Sequence, residues 1–141
     1  MRERYEDFVK NVTLLESLEP YERDRLSDAF KTATFEPDET IIREGDWGDV
    51  FYILEEGEAI ATKTLTPGQE PQEVMQYKVG DYFGELSLLR GEPRAANVIA
   101  KTKVKVVTLD RHSFKRMLGP LEEILKRQQE KYEAILKSKI A

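Results

Sequence analysis

Glu85 and Arg94 are charged residues nine positions apart, and small residues lie beside them in the sequence. Arg94 carries a guanidinium that stays charged and whose planar fork matches two oxygens of a phosphate. Glu85 would repel a phosphate, so its carboxylate is better suited to accept hydrogen bonds from the hydroxyl groups of a sugar. Ala95 and Ala96 leave space beside Arg94 and offer backbone N–H groups. The segment therefore predicts a site for a phosphorylated sugar.

A glycine turn followed by one turn of helix is predicted at the same place. Gly84 lets the backbone approach a ligand closely, because glycine has no side chain. Glu85, Leu86 and Ser87 come next and start the helical turn, whose free N–H groups and positive dipole end attract an anion. A phosphate donor, a sugar acceptor and small residues within one loop together fit a cyclic nucleotide.

Short strand patterns surround this segment, from about residue 31 to residue 110. Glycine, proline and aspartate turns separate them at close spacing, which indicates a sandwich or a barrel. The strand candidates are 32–35, 40–43, 50–54, 59–65, 74–79, 96–100 and 103–109. Helical periodicity precedes this region in 1–30 and follows it in 111–141, where a long amphipathic helix begins after a break at Gly119-Pro120. We expect these three parts, 1–30, 31–110 and 111–141, to form a single domain.

Composition narrows the function further. The chain has 141 residues with 22 basic and 27 acidic side chains, a net charge of −5, which argues against non-specific binding to nucleic acid. It has no cysteine and a single histidine, His112, so neither a thiolate metal site nor an enzyme of the cupin type, which needs several histidine ligands, is expected. No apolar run approaches the roughly 20 residues that span a bilayer. We predict a cytoplasmic protein with no membrane or nucleic-acid partner and no bound metal.

Two motifs of this chain resemble the domains of the cyclic nucleotide-binding family. Residues 83–96, with Phe83-Gly84-Glu85-Leu86 and then Pro93-Arg94-Ala95-Ala96, are similar to the family's phosphate-binding cassette. Residues 44–59 are similar to its glycine-rich turn between the second and third strands. Three further motifs, 109–114, 118–120 and 124–127, look more narrowly like the regulatory subunits of cAMP-dependent protein kinases, and like the C-terminal of their two tandem domains.

The resemblance implies an α+β fold, an eight-stranded β jelly-roll barrel flanked by N-terminal and C-terminal helices. It also implies a role for each residue of the cassette. Glu85 would accept the ribose 2′-hydroxyl, with the backbone of Gly84 nearby. Arg94 would bind the cyclic phosphate, helped by the backbone N–H groups of Ser87 and Ala95.

Other residues acquire implied roles outside that loop. Asp49 would support Arg94 from the glycine-rich turn, and Tyr132 on the last helix would stack on the base. Ala95 favours cAMP, because cGMP-dependent kinases usually have threonine at this position, where its hydroxyl holds guanine. The family pattern gives no role to Trp47. The predicted cAMP-binding residues are Gly84, Glu85, Leu86, Ser87, Arg94, Ala95, Ala96 and Tyr132.

The resemblance also implies a regulatory module instead of an enzyme. Its ligand would be cAMP, with no cofactor, and its partners would be a protein kinase catalytic subunit and a preceding tandem domain in a longer chain. Binding would reposition the C-terminal helices. The alternative is a module of a cGMP-dependent kinase or a gated channel, which shares the cassette. A bacterial-type transcription factor would need a basic helix-turn-helix, and none is found before the chain ends at Ala141.

Overall fold

The computed structural model describes residues 18–119, together with Val12, Leu15, Glu16, Arg127 and Ala134. Within this part of the chain there are three α-helices and eight strands. The helices are α1 (Pro20–Ala29), α2 (Glu85–Arg90) and α3 (Arg111–Leu118). The strands are β1 (Lys31–Phe35), β2 (Thr40–Ile42), β3 (Val50–Glu56), β4 (Ala59–Lys63), β5 (Gln72–Tyr77), β6 (Tyr82–Phe83), β7 (Asn97–Ala100) and β8 (Val104–Asp110).

The strands form two antiparallel sheets of four strands each. One has the order β1-β8-β3-β6 and the other β2-β7-β4-β5. Most neighbouring strands come from distant parts of the sequence, as β3 and β8 do, where Val50 is opposite Asp110. The exception is the pair β4 and β5, which are consecutive. This arrangement confirms the predicted α+β fold with an eight-stranded jelly roll. The division of the chain at residues 30 and 110 stays a prediction.

Strand ends differ from the sequence-based prediction by no more than two residues. The largest displacement is in β5, which ends at Tyr77 because a turn begins at once. The Asp81 carboxylate accepts a hydrogen bond from the Lys78 N–H at 2.9 Å, and Gly80 has a φ of 95°. Strand β6 has only two residues, too few to show the alternation that reveals a strand in a sequence.

Helices α1 and α3 pack against one sheet around a shared apolar core. Helix α1 begins with proline at its first position, and the side chains of Glu19 and Glu22 form a capping box there. Asp110 caps the start of helix α3, because its carboxylate accepts a hydrogen bond from the Ser113 N–H at 2.7 Å. The buried residues of this core are Val12, Leu15, Leu18, Leu26, Phe30, Phe51, Ile53, Leu88, Val107, Leu109, Phe114 and Leu118. Of the helix predicted after Pro120, the structure describes Arg127 and Ala134, and both are helical.

Candidate functional site

Helix α2 lies where the sequence predicts a helical turn within the β region. Strand β6 leads directly into Gly84, which caps the helix with a φ of 89°. A residue with a side chain would be strained in this left-handed conformation, so glycine is required for the chain to turn here. The helix ends at Gly91, whose N–H donates to the Ser87 carbonyl. Six residues of helix are thereby held between two glycine turns.

The Arg94 side chain is buried beside this helix, with 7% of its surface exposed. Its Nη1 donates a hydrogen bond to the Gly84 carbonyl at 2.7 Å, and its Nη2 donates to the Val50 carbonyl at 2.8 Å. Among the described residues, these bonds use two of the five N–H groups of the guanidinium. A buried cation whose donors are only partly used favours an anionic ligand, because burying an unpaired charge is otherwise unfavourable.

Gly48 forms the surface on which the guanidinium lies. A Cβ atom added at this position would be 2.1 Å from Nε and 2.3 Å from Cζ of Arg94. At Gly84 an added Cβ would be 2.9 Å from Nη1 of the same side chain. Gly48 belongs to the glycine-rich motif of residues 44–59, but sequence analysis assigned it no function. The signal that could have revealed it is a second Gly-Asp pair, Gly48-Asp49, separated from Gly45-Asp46 by a single residue.

The same turn holds the backbone of Arg94. The Gly45 N–H donates to the Arg94 carbonyl at 2.9 Å, and the Arg94 N–H donates to the Asp46 carbonyl at 2.7 Å. Asp49 is exposed in this turn, and it acts on Arg94 through charge. Burial lowers the pKa of Arg94, while the negative charges of Glu85 and Asp49 act in the opposite direction. The support of Arg94 by Asp49 stays a prediction, because the two guanidinium bonds described above go to backbone carbonyls.

Glu85 is the first residue of helix α2 and is partly buried. Burial raises the pKa of its carboxyl to about 7, although the hydrogen bond from its own backbone N–H and the charge of Arg94 both lower it. The carboxylate is therefore poised to change its charge near neutral pH. A hydrogen-bond donor beside Glu85 would replace the water that burial removes, and it would favour the charged form of the carboxylate.

Aromatic side chains line the sheet next to these groups. The Tyr52 and Phe83 rings are stacked with centroids 5.3 Å apart, and Tyr77 lies 5.0 Å from Phe83. An added Cβ at Gly84 would be 3.2 Å from Cδ1 of Tyr52. Burial raises the pKa of the Tyr52 hydroxyl, so this ring stays neutral beside Arg94. These rings place apolar surface beside Glu85 and Arg94, which lowers the local dielectric constant.

The remaining predicted residues are placed as follows. Ala95 is partly buried and Ala96 is buried against Ala61 and Val74. Ser87 is buried within helix α2, and its hydroxyl has no hydrogen-bond partner among the described residues. Leu86 contributes backbone to the helix, and Tyr132 lies outside the described residues. The structure thus brings Gly84, Glu85, Arg94 and Ala95 together at one end of the barrel.

The described residues contain no group of three or more histidine, cysteine, aspartate or glutamate side chains that could hold a metal ion. In the same part of the chain, none of the helices has both the length and the apolar character needed to cross a bilayer.

Comparison with known families and sequences gives consistent matches. The family model for the cyclic nucleotide-binding domain matches residues 32–119, which is more than half of the chain. The cAMP-dependent protein kinase regulatory subunit of Hypocrea atroviridis is 52% identical over 126 residues, covering 89% of this chain and 26% of the relative. Across the curated relatives that it matches, the chain spans about a quarter to a third of their length.

Three solved structures are similar over nearly the whole chain. The regulatory domain of Toxoplasma gondii PKA, co-crystallised with cAMP, has a TM-score of 0.90 and 49% identity, with coverage of 93% of this chain and 50% of that one. PKAR CBD2 bound to Sp-2Cl-cAMPS has a TM-score of 0.88 and 43% identity, with coverage of 97% and 90%. The regulatory subunit of a cAMP-independent protein kinase A from Trypanosoma cruzi, bound to guanosine, has a TM-score of 0.87 and 36% identity, with coverage of 97% and 50%.

Proposed function

We propose, since this chain belongs to the cyclic nucleotide-binding domain family, that it binds a cyclic nucleotide at Arg94 and prefers cAMP. One observation carries the proposal more than any other. The Arg94 guanidinium is buried against Gly48 and Gly84 and donates to two backbone carbonyls. It is therefore a fixed cation whose other N–H groups can bind a ligand. A singly charged cyclic phosphate is the kind of ligand that such a cation binds.

Each end of the sugar phosphate has a proposed partner. Arg94 binds the phosphate through charge-assisted hydrogen bonds, and the backbone N–H groups of Ser87 and Ala95 complete the anion site. Glu85 accepts a hydrogen bond from the ribose 2′-hydroxyl, with the Gly84 backbone beside it. That hydrogen bond stabilises the carboxylate in a setting where burial disfavours its charge.

Recognition of the base is proposed to depend on Ala95 and Tyr132. Ala95 lacks the hydroxyl that would hold guanine, which favours adenine. Tyr132 stacks on the base when the C-terminal helix folds over the barrel. Truncation after Arg127 should then speed the release of cAMP. An unchanged rate of release would exclude Tyr132 from the site.

The regulatory role is proposed from the relatives, of which this chain is one part. A regulatory subunit of a cAMP-dependent protein kinase would bind a catalytic subunit, and it would carry a preceding tandem domain. Ligand binding can shift this assembly only if the two conformations of the subunit differ in their affinity for the ligand. The proposed difference is the position of the C-terminal helices, and the proposed compartment is the cytoplasm. Co-precipitation of a full-length chain with its kinase catalytic subunit, with and without cAMP, tests this role.

A second candidate ligand is a nucleoside without a phosphate. The guanosine-bound relative from Trypanosoma cruzi has nearly the same fold and is described as cAMP-independent. A neutral nucleoside would leave the Arg94 charge without its counterpart in a buried position. Arg94 therefore favours a cyclic nucleotide over a nucleoside, and cGMP remains the nearer rival through a cGMP-dependent kinase or gated-channel module.

Arg94→Lys tests the proposal directly. Lysine keeps the positive charge but cannot make the paired hydrogen bonds of a guanidinium. We expect cAMP affinity, measured by calorimetry, to fall by at least about tenfold, since one charge-assisted hydrogen bond contributes about 1.5–3 kcal/mol. Arg116→Lys, on the exposed face of α3, is a matched control that should bind as the unmodified protein does. Equal binding by Arg94→Lys would refute the assignment of the phosphate to Arg94.

A further inference from the structure

The chain from Arg94 to Asn97 is held in place by contacts that begin where a strand ladder ends. Strands β4 and β7 are paired from Ala59 and Ala100 to Thr62 and Asn97. One residue beyond this pair, the Lys63 ammonium donates a hydrogen bond to the Ala95 carbonyl at 2.5 Å. A side chain therefore continues the connection between the two strands after the backbone hydrogen bonds stop.

Glu44 fixes the position of that ammonium. One of its carboxylate oxygens, Oε2, lies 4.0 Å from Nζ of Lys63, and the other accepts a hydrogen bond from the Thr64 N–H at 3.1 Å. The Glu44 N–H donates to the Asn97 side chain at 2.8 Å, and Asn97 donates in turn to the Thr62 hydroxyl at 3.2 Å. The side chains of Lys63 and Glu44 are 26% and 28% exposed, so both are mostly enclosed. Each of them is held at more than one point.

These contacts determine where two backbone N–H groups point. In a planar trans peptide the carbonyl and the N–H point in opposite directions, so fixing one fixes the other. The Gly45 N–H holds the Arg94 carbonyl at 2.9 Å, which sets the direction of the Ala95 N–H. Lys63 holds the Ala95 carbonyl, which sets the direction of the Ala96 N–H. Both alanine N–H groups next to the guanidinium are thus oriented through their own peptide planes.

We propose that Lys63 is a positioning residue for the anion site. By holding the Ala95 carbonyl, it orients the Ala96 N–H beside Arg94 before a ligand arrives, and Glu44 keeps Lys63 in place. The Lys63 ammonium donates to the Ala95 carbonyl and lies 4.0 Å from the Glu44 carboxylate, so the effect proposed for it passes through the backbone. This inference rests on the proposed function of the Arg94 pocket.

Substitutions at Lys63 separate its hydrogen bond from its charge. Lys63→Met removes both and keeps a similar length, whereas Lys63→Arg keeps both. Lys105→Met is a matched control, because Lys105 is also mostly enclosed, at 21% exposure, and lies 3.7 Å from the Glu55 carboxylate. We expect Lys63→Met to bind cAMP about tenfold more weakly, which is about 1.4 kcal/mol. Lys63→Arg should recover most of the affinity, and Lys105→Met should bind as the unmodified protein does.

Two readouts distinguish positioning from a general loss of stability. Adenosine has no phosphate, so its affinity should be unchanged in Lys63→Met, whereas a damaged fold would weaken both ligands. The ¹⁵N-amide chemical shifts of Ala95 and Ala96 in the free protein should move in Lys63→Met and stay in place in Lys105→Met. Unchanged amide shifts, undiminished cAMP binding by Lys63→Met, or an equal loss in Lys105→Met would each overturn the proposal. If the unmodified chain fails to bind cAMP, the proposed function is wrong, and the amide shifts still decide the role of Lys63.

Discussion

Replacement of Gly48 by alanine tests the Arg94 site without altering the arginine. The new Cβ would lie 2.1 Å from Nε and 2.3 Å from Cζ and Nη2 of Arg94, whereas carbon atoms pack favourably at about 3.5–4.0 Å. Gly48 is not among the glycines with a positive φ, so alanine fits its backbone conformation. The guanidinium is the free end of a long side chain, and it is therefore the group that must move.

The displaced guanidinium loses its alignment with any phosphate in the pocket. It also loses the hydrogen bonds to the carbonyls of Gly84 and Val50, of 2.7 Å and 2.8 Å, that fix it in place. A charge-assisted hydrogen bond contributes about 1.5–3 kcal/mol, so cAMP should bind roughly 10- to 150-fold more weakly. The free energy of unfolding should also decrease, by about 1–3 kcal/mol, because the two lost bonds stabilise the folded protein without ligand as well. Calorimetric titration and thermal unfolding of the same preparation measure the two quantities.

Gly119→Ala is the control for this experiment. Gly119 has helical dihedral angles, φ −50° and ψ −43°, and a Cβ atom there would lie within 4 Å of no atom among the described residues. Its binding of cAMP should equal that of the unmodified protein. If Gly48→Ala also binds cAMP with unchanged affinity, the reasoning is refuted, since a phosphate-binding Arg94 cannot keep its position beside a Cβ at residue 48.

Three further predictions concern Glu85, Ser87 and Ala95. Burial raises the pKa of Glu85 to about 7, so cAMP affinity in calorimetric titrations should fall as the pH drops from 8 to 6. A cAMP affinity that does not change with pH would exclude the carboxylate as the ribose acceptor. The same shift disfavours the charged form in the folded protein, so the free energy of unfolding should decrease as the pH rises from 4.5 to about 7, and Glu85→Gln should remove this decrease. Ser87→Ala should raise the free energy of unfolding by about 1 kcal/mol in denaturant titrations, because it removes a buried hydroxyl without a partner among the described residues. It should leave cAMP affinity unchanged. Weaker binding would show that the hydroxyl, and not the backbone N–H, contacts the ligand. Ala95→Thr should improve cGMP binding relative to cAMP in competition assays, and an unchanged ratio would remove residue 95 from base selection.

Much of the pocket could be predicted because its main residues are close in sequence. Gly84 must be glycine to adopt a φ of 89°, and Glu85 and Arg94 follow within ten residues. Their chemistry is visible in the residue types alone. The turn residues at short intervals between the strands predicted a sandwich or a barrel, whereas the eight-stranded jelly roll was implied by the resemblance to the family.

The contacts that position Arg94 could not be predicted in the same way. Lys63 is 32 residues from Ala95, and Glu44 is 53 residues from Asn97. Lys63 meets Ala95 because β4 pairs with β7, and Glu44 meets Asn97 because β2 pairs with β7. Each register depends on packing across the whole barrel. The role of Gly48 has the same origin, because its neighbour Arg94 comes from a distant loop. Local sequence patterns carry no information about such contacts.

Titration of the unmodified chain with cAMP, cGMP and adenosine, by calorimetry, tests the central claim most directly. A fixed, buried Arg94 with Ala95 beside it predicts that cAMP binds most tightly, cGMP more weakly and adenosine most weakly of the three. The affinity lost with adenosine should match the loss caused by Arg94→Lys to within about tenfold, since both remove the phosphate–guanidinium interaction. Adenosine binding as tight as that of cAMP, or no heat with cAMP, would contradict the account.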